Sequence, residues 1–133
     1  MWEIPRTIVN QMFGHAQRSF PEECVGILSG QEGEISQCHT LTNALGETRR
    51  FLADPEEQIK LFKDLRTQGR ELMAIYHSHP EGAAEPSQAD LLQAYYEEAL
   101  YLIIALGTDG RLDMQGYQIK AGKAEAVELS IRD

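Results

Sequence analysis

Residues 72–80, Leu-Met-Ala-Ile-Tyr-His-Ser-His-Pro, decide the fold of this 133-residue chain. Their continuous apolar run predicts a strand that is covered on both faces, and it leads directly into two histidines. Pro80 lacks the backbone N–H that a central ladder needs, so we expect the strand to end at the histidines. A buried strand therefore brings His77 and His79 to one edge of a sheet.

The residues on either side predict an α/β architecture. Apolar residues at helical spacing, with capping residues and helix-stopping residues at the ends, predict helices over residues 5–20, 54–69 and 87–100. Short apolar or alternating runs predict further strands over residues 24–28, 34–41, 49–53, 101–106, 111–120 and 123–131. No repeat or linker divides the chain. We therefore expect one domain, residues 1–133, with a mixed β-sheet flanked by helices.

Composition excludes several classes of function. The net charge is −9, and the Lys and Arg residues are scattered along the chain, which disfavours nucleic acid and anionic membranes as partners. No apolar run approaches the roughly 20 residues that a membrane span requires. The N-terminus also lacks the layout of a signal peptide, so we expect a cytoplasmic protein.

The isolated cysteines and histidines are interpreted as structural. Cys24 and Cys38 lie in predicted strands, which does not indicate a disulfide framework. Cys24 opens an apolar run, where a cysteine is usually a small buried hydrophobic residue rather than a nucleophile. His15 and His39 stand outside any motif.

The histidine pair is suited to binding a metal ion. Residues two apart in a strand point to the same face with Cα atoms roughly 7 Å apart, so both imidazoles can reach one ion at about 2.0–2.1 Å. Asp90 lies in the first turn of the helix that Ser87 opens, a short loop away. Three protein ligands leave a fourth position for water, as in catalytic zinc sites. His77, His79 and Asp90 therefore predict one Zn²⁺ per chain.

Amide hydrolysis at such a site also needs a base and a donor to the oxyanion. Glu23 is the candidate base because it precedes a strand expected to pair beside the histidine strand, whereas Glu22 points to the opposite face. Ser87 is the candidate donor. Taken alone, Ser87 and Asp90 form an ordinary helix-capping pattern, and Glu23 alone is typical of a solvated charge. The combination, however, should arise by chance on the order of once in 10⁵ chains.

The whole pattern resembles the JAMM/MPN+ metallopeptidases. Their signature is an early glutamate, then His-x-His-Pro, six residues and Ser-x-x-Asp, and here it reads Glu23, 77–80 and 87–90. The family's glutamate stands three residues before a glycine, which favours Glu23 over Glu22. The resemblance implies a cytidine deaminase-like fold over nearly the whole chain.

The same resemblance implies a role for each residue of the motif. Zinc would be held by His77, His79 and Asp90, Glu23 would be the general acid and base, and Ser87 would stabilise the oxyanion. Short prokaryotic members of the family act on ubiquitin-like sulfur-carrier proteins, so the expected substrate is an amide bond after the Gly-Gly end of such a protein. Nucleic acid and membranes are not expected as partners.

Three other functions compete with this interpretation. The same fold serves as a non-catalytic MPN-type interaction module when the metal ligands are lost, but here all of them are present. A RadC-like protein associated with DNA repair has a similar motif, but the acidic charge and the serine at position 78 weigh against it. A nucleobase deaminase would need His-x-Glu and Pro-Cys-x-x-Cys, which the chain lacks.

Overall fold

The structure, a computed structural model, describes residues 2–45, 51–108 and 111–133. The described residues form eight strands and three helices, in the order β1 (Trp2–Pro5), α1 (Arg6–Ser19), β2 (Val25–Gln31), β3 (Glu34–Leu41), α2 (Pro55–Thr67), β4 (Glu71–His79), α3 (Gln88–Leu92), β5 (Leu100–Thr108), β6 (Arg111–Lys120), β7 (Lys123–Val127) and β8 (Leu129–Arg132). The mixed α/β class predicted from the sequence is confirmed. No helix in these ranges is long and apolar enough to cross a membrane.

The central sheet has six strands in the order β3-β2-β4-β5-β6-β7. The histidine strand β4 is internal, antiparallel to β2 and parallel to β5. Val25 of β2 pairs with His77, so the residues just before β2 lie at the histidine end of β4. β1 and β8 form a separate parallel pair.

Both faces of the sheet are covered, because alternate residues of each strand point to opposite sides. On one face, Met12 and other apolar residues of α1 pack with Leu28, Tyr76 and Leu102. On the other face, Phe62 of α2 packs with Ile27. This burial of both faces explains the continuous apolar runs of the inner strands.

Gly26 allows the ring of Tyr76 to lie against β2. A Cβ at position 26 would meet that ring at 2.3 Å, much closer than real side chains approach. The Tyr76 hydroxyl is in turn 2.7 Å from His15 Nδ1, within the same core. The glycine three residues after Glu23 is therefore needed to pack the strands that carry the site.

Two predicted boundaries were wrong for reasons of tertiary structure. The third helix ends at Leu92 instead of continuing to Leu100. Tyr96 leaves the helical path because its backbone N–H donates to the Tyr101 hydroxyl and its ring packs edge-on against Phe62. The predicted strand over 123–131 is split into β7 and β8, because β8 pairs with β1 rather than with β6.

The prediction of a strand over residues 49–53 is also wrong for residues 51–53, which the structure describes. Residues 49 and 50 lie outside the described ranges, and the remainder forms only an isolated bridge between Ala53 and Asn43. β1 was not predicted, since four residues carry too little pattern and its partner is at the opposite end of the chain.

Candidate metal centre

The end of β4 and the first turn of α3 bring three ligand atoms into contact. His77 Nε2 lies 3.1 Å from His79 Nε2 and 3.1 Å from Asp90 Oδ2. His79 Nε2 is 3.0 Å from the same carboxylate oxygen. His77 and Asp90 are only 2% and 7% exposed. The three atoms therefore form a nearly equilateral triangle that is mostly buried.

This triangle fits a tetrahedral metal ion. Neighbouring ligand atoms around an ion at 2.0–2.1 Å lie about 3.3 Å apart, close to the separations observed. Without a cation, an imidazole Nε2 can approach the carboxylate this closely only as a hydrogen-bond donor, so a bound ion would replace the protons on these nitrogens. The donor set, two imidazoles and one carboxylate, is one that zinc binds in hydrolytic enzymes.

The position of His79 favours the tautomer that a metal ligand needs. Its Nδ1 is 2.9 Å from the carbonyl oxygen of Ala83, which can only accept a hydrogen bond, so Nδ1 carries the proton. In the neutral ring Nε2 then presents a lone pair to the centre. A hydrogen bond at the outer nitrogen is the usual way in which proteins orient a ligating histidine.

The surroundings also set the charges of these groups. Burial opposes ionisation of Asp90, but hydrogen bonds from His77 and His79 outweigh it and hold the pKa of the Asp90 carboxyl well below its usual range. Burial lowers the pKa of His77, which keeps that imidazole neutral. The centre therefore offers one full negative charge and at least one neutral imidazole, as a divalent cation requires.

Glu23 lies beside the triangle, immediately before β2. A carboxylate oxygen of Glu23 is within 4.8 Å of a ring nitrogen of each histidine. The side chain is 3% exposed, and its Oε1 has no hydrogen-bond partner among the described residues. Burial raises the pKa of Glu23 to about 7. The nearby Asp90 charge also raises this pKa, whereas His79 lowers it. Glu22 is exposed.

Ser87 is the N-cap of α3 and completes a capping box. Its hydroxyl accepts a hydrogen bond from the backbone N–H of Asp90 at 3.1 Å, and its own N–H donates to Asp90 Oδ2 at 2.9 Å. Ser87 and Asp90 therefore do cap the helix, as their sequence pattern predicts. Since the oxygen accepts through a lone pair, the Ser87 O–H remains able to donate.

The residues interpreted as structural lie in separate settings. Cys24 is buried, and burial raises the pKa of its thiol to about 11. Both cysteines are free thiols. His15 is next to the Tyr76 hydroxyl and His39 is 2.8 Å from the Ser29 hydroxyl, so each has a polar partner away from the metal centre.

Two cavities flank the centre, and sequence reasoning identified neither. An apolar cavity of about 140 Å³ touches His77 and Asp90, and its other walls include Phe51, Tyr95 and Tyr96. A polar cavity of about 550 Å³ touches Glu23 but none of the three ligands. The adjacent tyrosines could have signalled a binding wall, but they were assigned to the third helix.

Comparison with known proteins gives consistent matches. Residues 5–117 match the family described as prokaryotic homologs of the JAB domain. The chain is 32% identical over 130 residues to the CysO-cysteine peptidase of Mycobacterium tuberculosis, covering 96% of this chain and 89% of that protein. It is 37% identical over 108 residues to a probable TtuB-protein conjugate cleaving protease of Thermus thermophilus, covering 80% and 70% of the two chains. A solved structure from Desulfitobacterium hafniense superposes with a TM-score of 0.89 at 27% identity, covering 100% of this chain and 94% of the other.

Proposed function

Because the chain belongs to the family of prokaryotic homologs of the JAB domain, we propose that it is a metal-dependent peptidase. Its substrate would be an amide bond that follows the Gly-Gly end of a ubiquitin-like or sulfur-carrier protein. The observation that carries the proposal is the buried triangle of two imidazole nitrogens and one carboxylate oxygen, with the unpartnered oxygen of Glu23 beside it.

Zinc is the proposed metal, one ion per chain, held by His77, His79 and Asp90. The two histidines and the carboxylate fit this ion in ligand type and spacing. When bound, zinc supplies the acidity that makes a water molecule nucleophilic near neutral pH and polarises the scissile carbonyl. Asp90 is preferred to Glu23 as the third ligand because its oxygen lies 3.0 and 3.1 Å from the two imidazole nitrogens.

Glu23 is the proposed general acid and base. Its free Oε1 can take a proton from the attacking water and deliver it to the leaving amine. A pKa of about 7 suits both transfers, because the group then exchanges a proton readily at neutral pH.

Ser87 is the proposed donor to the oxyanion. Its hydroxyl oxygen is held by the Asp90 N–H, which leaves the O–H to donate to the negative oxygen of the tetrahedral intermediate. The cap and the donor are therefore compatible roles for the same side chain.

The relatives support the substrate class. The mycobacterial relative is named a CysO-cysteine peptidase, and the Thermus relative is named a probable TtuB-protein conjugate cleaving protease. A Gly-Gly end suits a buried centre because it has no side chains that would clash on approach. We place this activity in the cytosol, as the two free thiols would be expected in a reducing compartment.

A carrier protein extended by several residues beyond Gly-Gly tests the proposal. The zinc-loaded protein should release a carrier that ends at Gly-Gly, as read by mass spectrometry, and His77→Ala should not. An extended carrier that stays intact with the zinc-loaded protein would instead favour a non-catalytic interaction module.

A further inference from the structure

The ring of His77 lacks the hydrogen bond that usually orients a metal ligand. Its Nδ1 is buried and has no partner within the part of the chain that the structure describes. Ligating histidines almost always donate this N–H to a carbonyl, a carboxylate or water. His79 does so through the Ala83 carbonyl. Among the described residues, the His77 ring is therefore held by contacts other than a hydrogen bond at Nδ1.

Phe51 supplies such a contact. Its ring stacks on the His77 imidazole with the centroids 4.6 Å apart and the planes inclined by 26°, within the range of favourable offset stacking. The edge of the His79 ring meets His77 at 4.9 Å and 60°. We propose that Phe51 is a positioning residue that fixes the His77 imidazole so that Nε2 faces the metal centre. This inference rests on the metal site of the proposed function.

The segment that carries Phe51 is itself tied to the site by Asn43. The Asn43 side-chain oxygen accepts hydrogen bonds from the backbone N–H groups of Leu45 at 3.1 Å and Leu52 at 3.0 Å. Its amide nitrogen donates to the backbone carbonyl of Glu23 at 2.9 Å. One side chain therefore joins the neighbour of Phe51 to the backbone of the proposed base. Loss of Asn43 should loosen the stack from a distance.

Phe51 also lines the apolar cavity, which allows a different interpretation. If the ring only contacted substrate, its removal would raise KM and leave the affinity of the protein for metal unchanged. If it positions His77, its removal weakens metal binding in the absence of any substrate. Metal affinity therefore separates the two roles.

The experiment measures Zn²⁺ affinity by competition with a chelator, without substrate. Phe51→Leu should bind zinc about tenfold more weakly, in line with the effect of losing an outer partner of a ligating histidine. Phe51→Tyr restores the stack and should recover the affinity to within about threefold of wild type. Asn43→Ala should also weaken zinc binding, by a smaller factor than Phe51→Leu.

Phe62→Leu is the matched control, because Phe62 packs edge-on against Tyr96 rather than against a proposed ligand. Its zinc affinity should equal that of wild type. Far-UV circular dichroism of each metal-free variant checks the fold, and if Phe51→Leu does not fold, Phe51→Tyr and Asn43→Ala still provide the comparison. Unchanged affinity in a folded Phe51→Leu, with zinc bound by wild type, overturns the role of Phe51 alone. Absence of zinc binding in wild type overturns the proposed function as well.

Discussion

Glu23→Gln should make the metal-free protein more stable and the zinc-loaded protein inactive. The amide is close in shape to the carboxylate but carries no charge and cannot accept the proton. Glu23 is 3% exposed and has an oxygen without a partner among the described residues, so its negative charge is costly when no cation is bound. The same substitution removes the proposed base from catalysis.

The magnitude follows from the pKa of Glu23. Folding raises the pKa of the carboxyl from 4.5 to about 7, which corresponds to at most about 3 kcal/mol of destabilisation once the group is ionised, less any screening by solvent. The folded state binds the proton more tightly than the unfolded state. Ionisation of Glu23 therefore costs wild type nothing below pH 4.5, and its destabilising effect grows as the pH rises from 4.5 through 7. Metal-free Glu23→Gln should therefore melt on the order of 5–10 °C above wild type at pH 8.

Thermal unfolding of both metal-free proteins between pH 5 and pH 8 tests this reasoning. The difference in Tm should shrink as the pH falls. At low pH the Glu23 carboxyl of wild type is protonated and uncharged, as the glutamine amide is at every pH. Activity of zinc-loaded Glu23→Gln on the extended carrier should fall by about 10²–10⁴-fold. Glu22→Gln, at an exposed position, is the control and should change neither quantity. A Tm difference that does not depend on pH, or equal activity loss in the two variants, would refute the assignment.

Ser87→Ala should lower stability by about 1 kcal/mol through loss of the helix cap. It should also lower kcat by roughly 10²–10³, with KM little changed, through loss of the oxyanion donor. Turnover within a few-fold of wild type would assign Ser87 to capping alone. Thiol reagents should modify Cys24 of the folded protein at least about 100-fold more slowly than a free cysteine at pH 8, because few molecules carry the thiolate when the pKa is about 11. Rapid reaction of Cys24 under native conditions, followed by mass spectrometry of the labelled residue, would contradict its burial.

The features that the sequence predicted well depend on local patterns. The apolar run that precedes His77 indicated an inner strand. The choice of Glu23 over Glu22 came from strand alternation and from the resemblance to the JAMM/MPN+ metallopeptidases, and the structure buries Glu23 and exposes Glu22. The capping pattern at Ser87 placed Asp90 in the first turn of a helix. The meeting of these residues at one sheet edge followed because β2 and β4 are neighbours in the sheet.

The features that escaped prediction depend on contacts between distant residues. The path of Tyr96 is set by the Tyr101 hydroxyl and by the Phe62 ring, which no helical periodicity encodes. Phe51 was assigned to a strand by its apolar neighbours, whereas its ring stacks on His77, which lies far away in the sequence. The apolar cavity beside the centre is likewise built from residues that are far apart in the sequence, and local pattern alone does not predict it.

The zinc content of Asp90→Asn compared with that of Glu23→Gln tests the central claim most directly. Two carboxylates lie near the imidazole pair, and only one of them can be the third ligand of the proposed site. The amide that replaces the Asp90 carboxylate keeps an oxygen for the Ser87 N–H, so α3 should remain capped while the anionic ligand is lost. Elemental analysis of the folded, purified proteins should find about one zinc per chain in wild type and Glu23→Gln, and little in Asp90→Asn. Zinc retained by Asp90→Asn and lost from Glu23→Gln would contradict the account, because the ligand and the base would then have exchanged places.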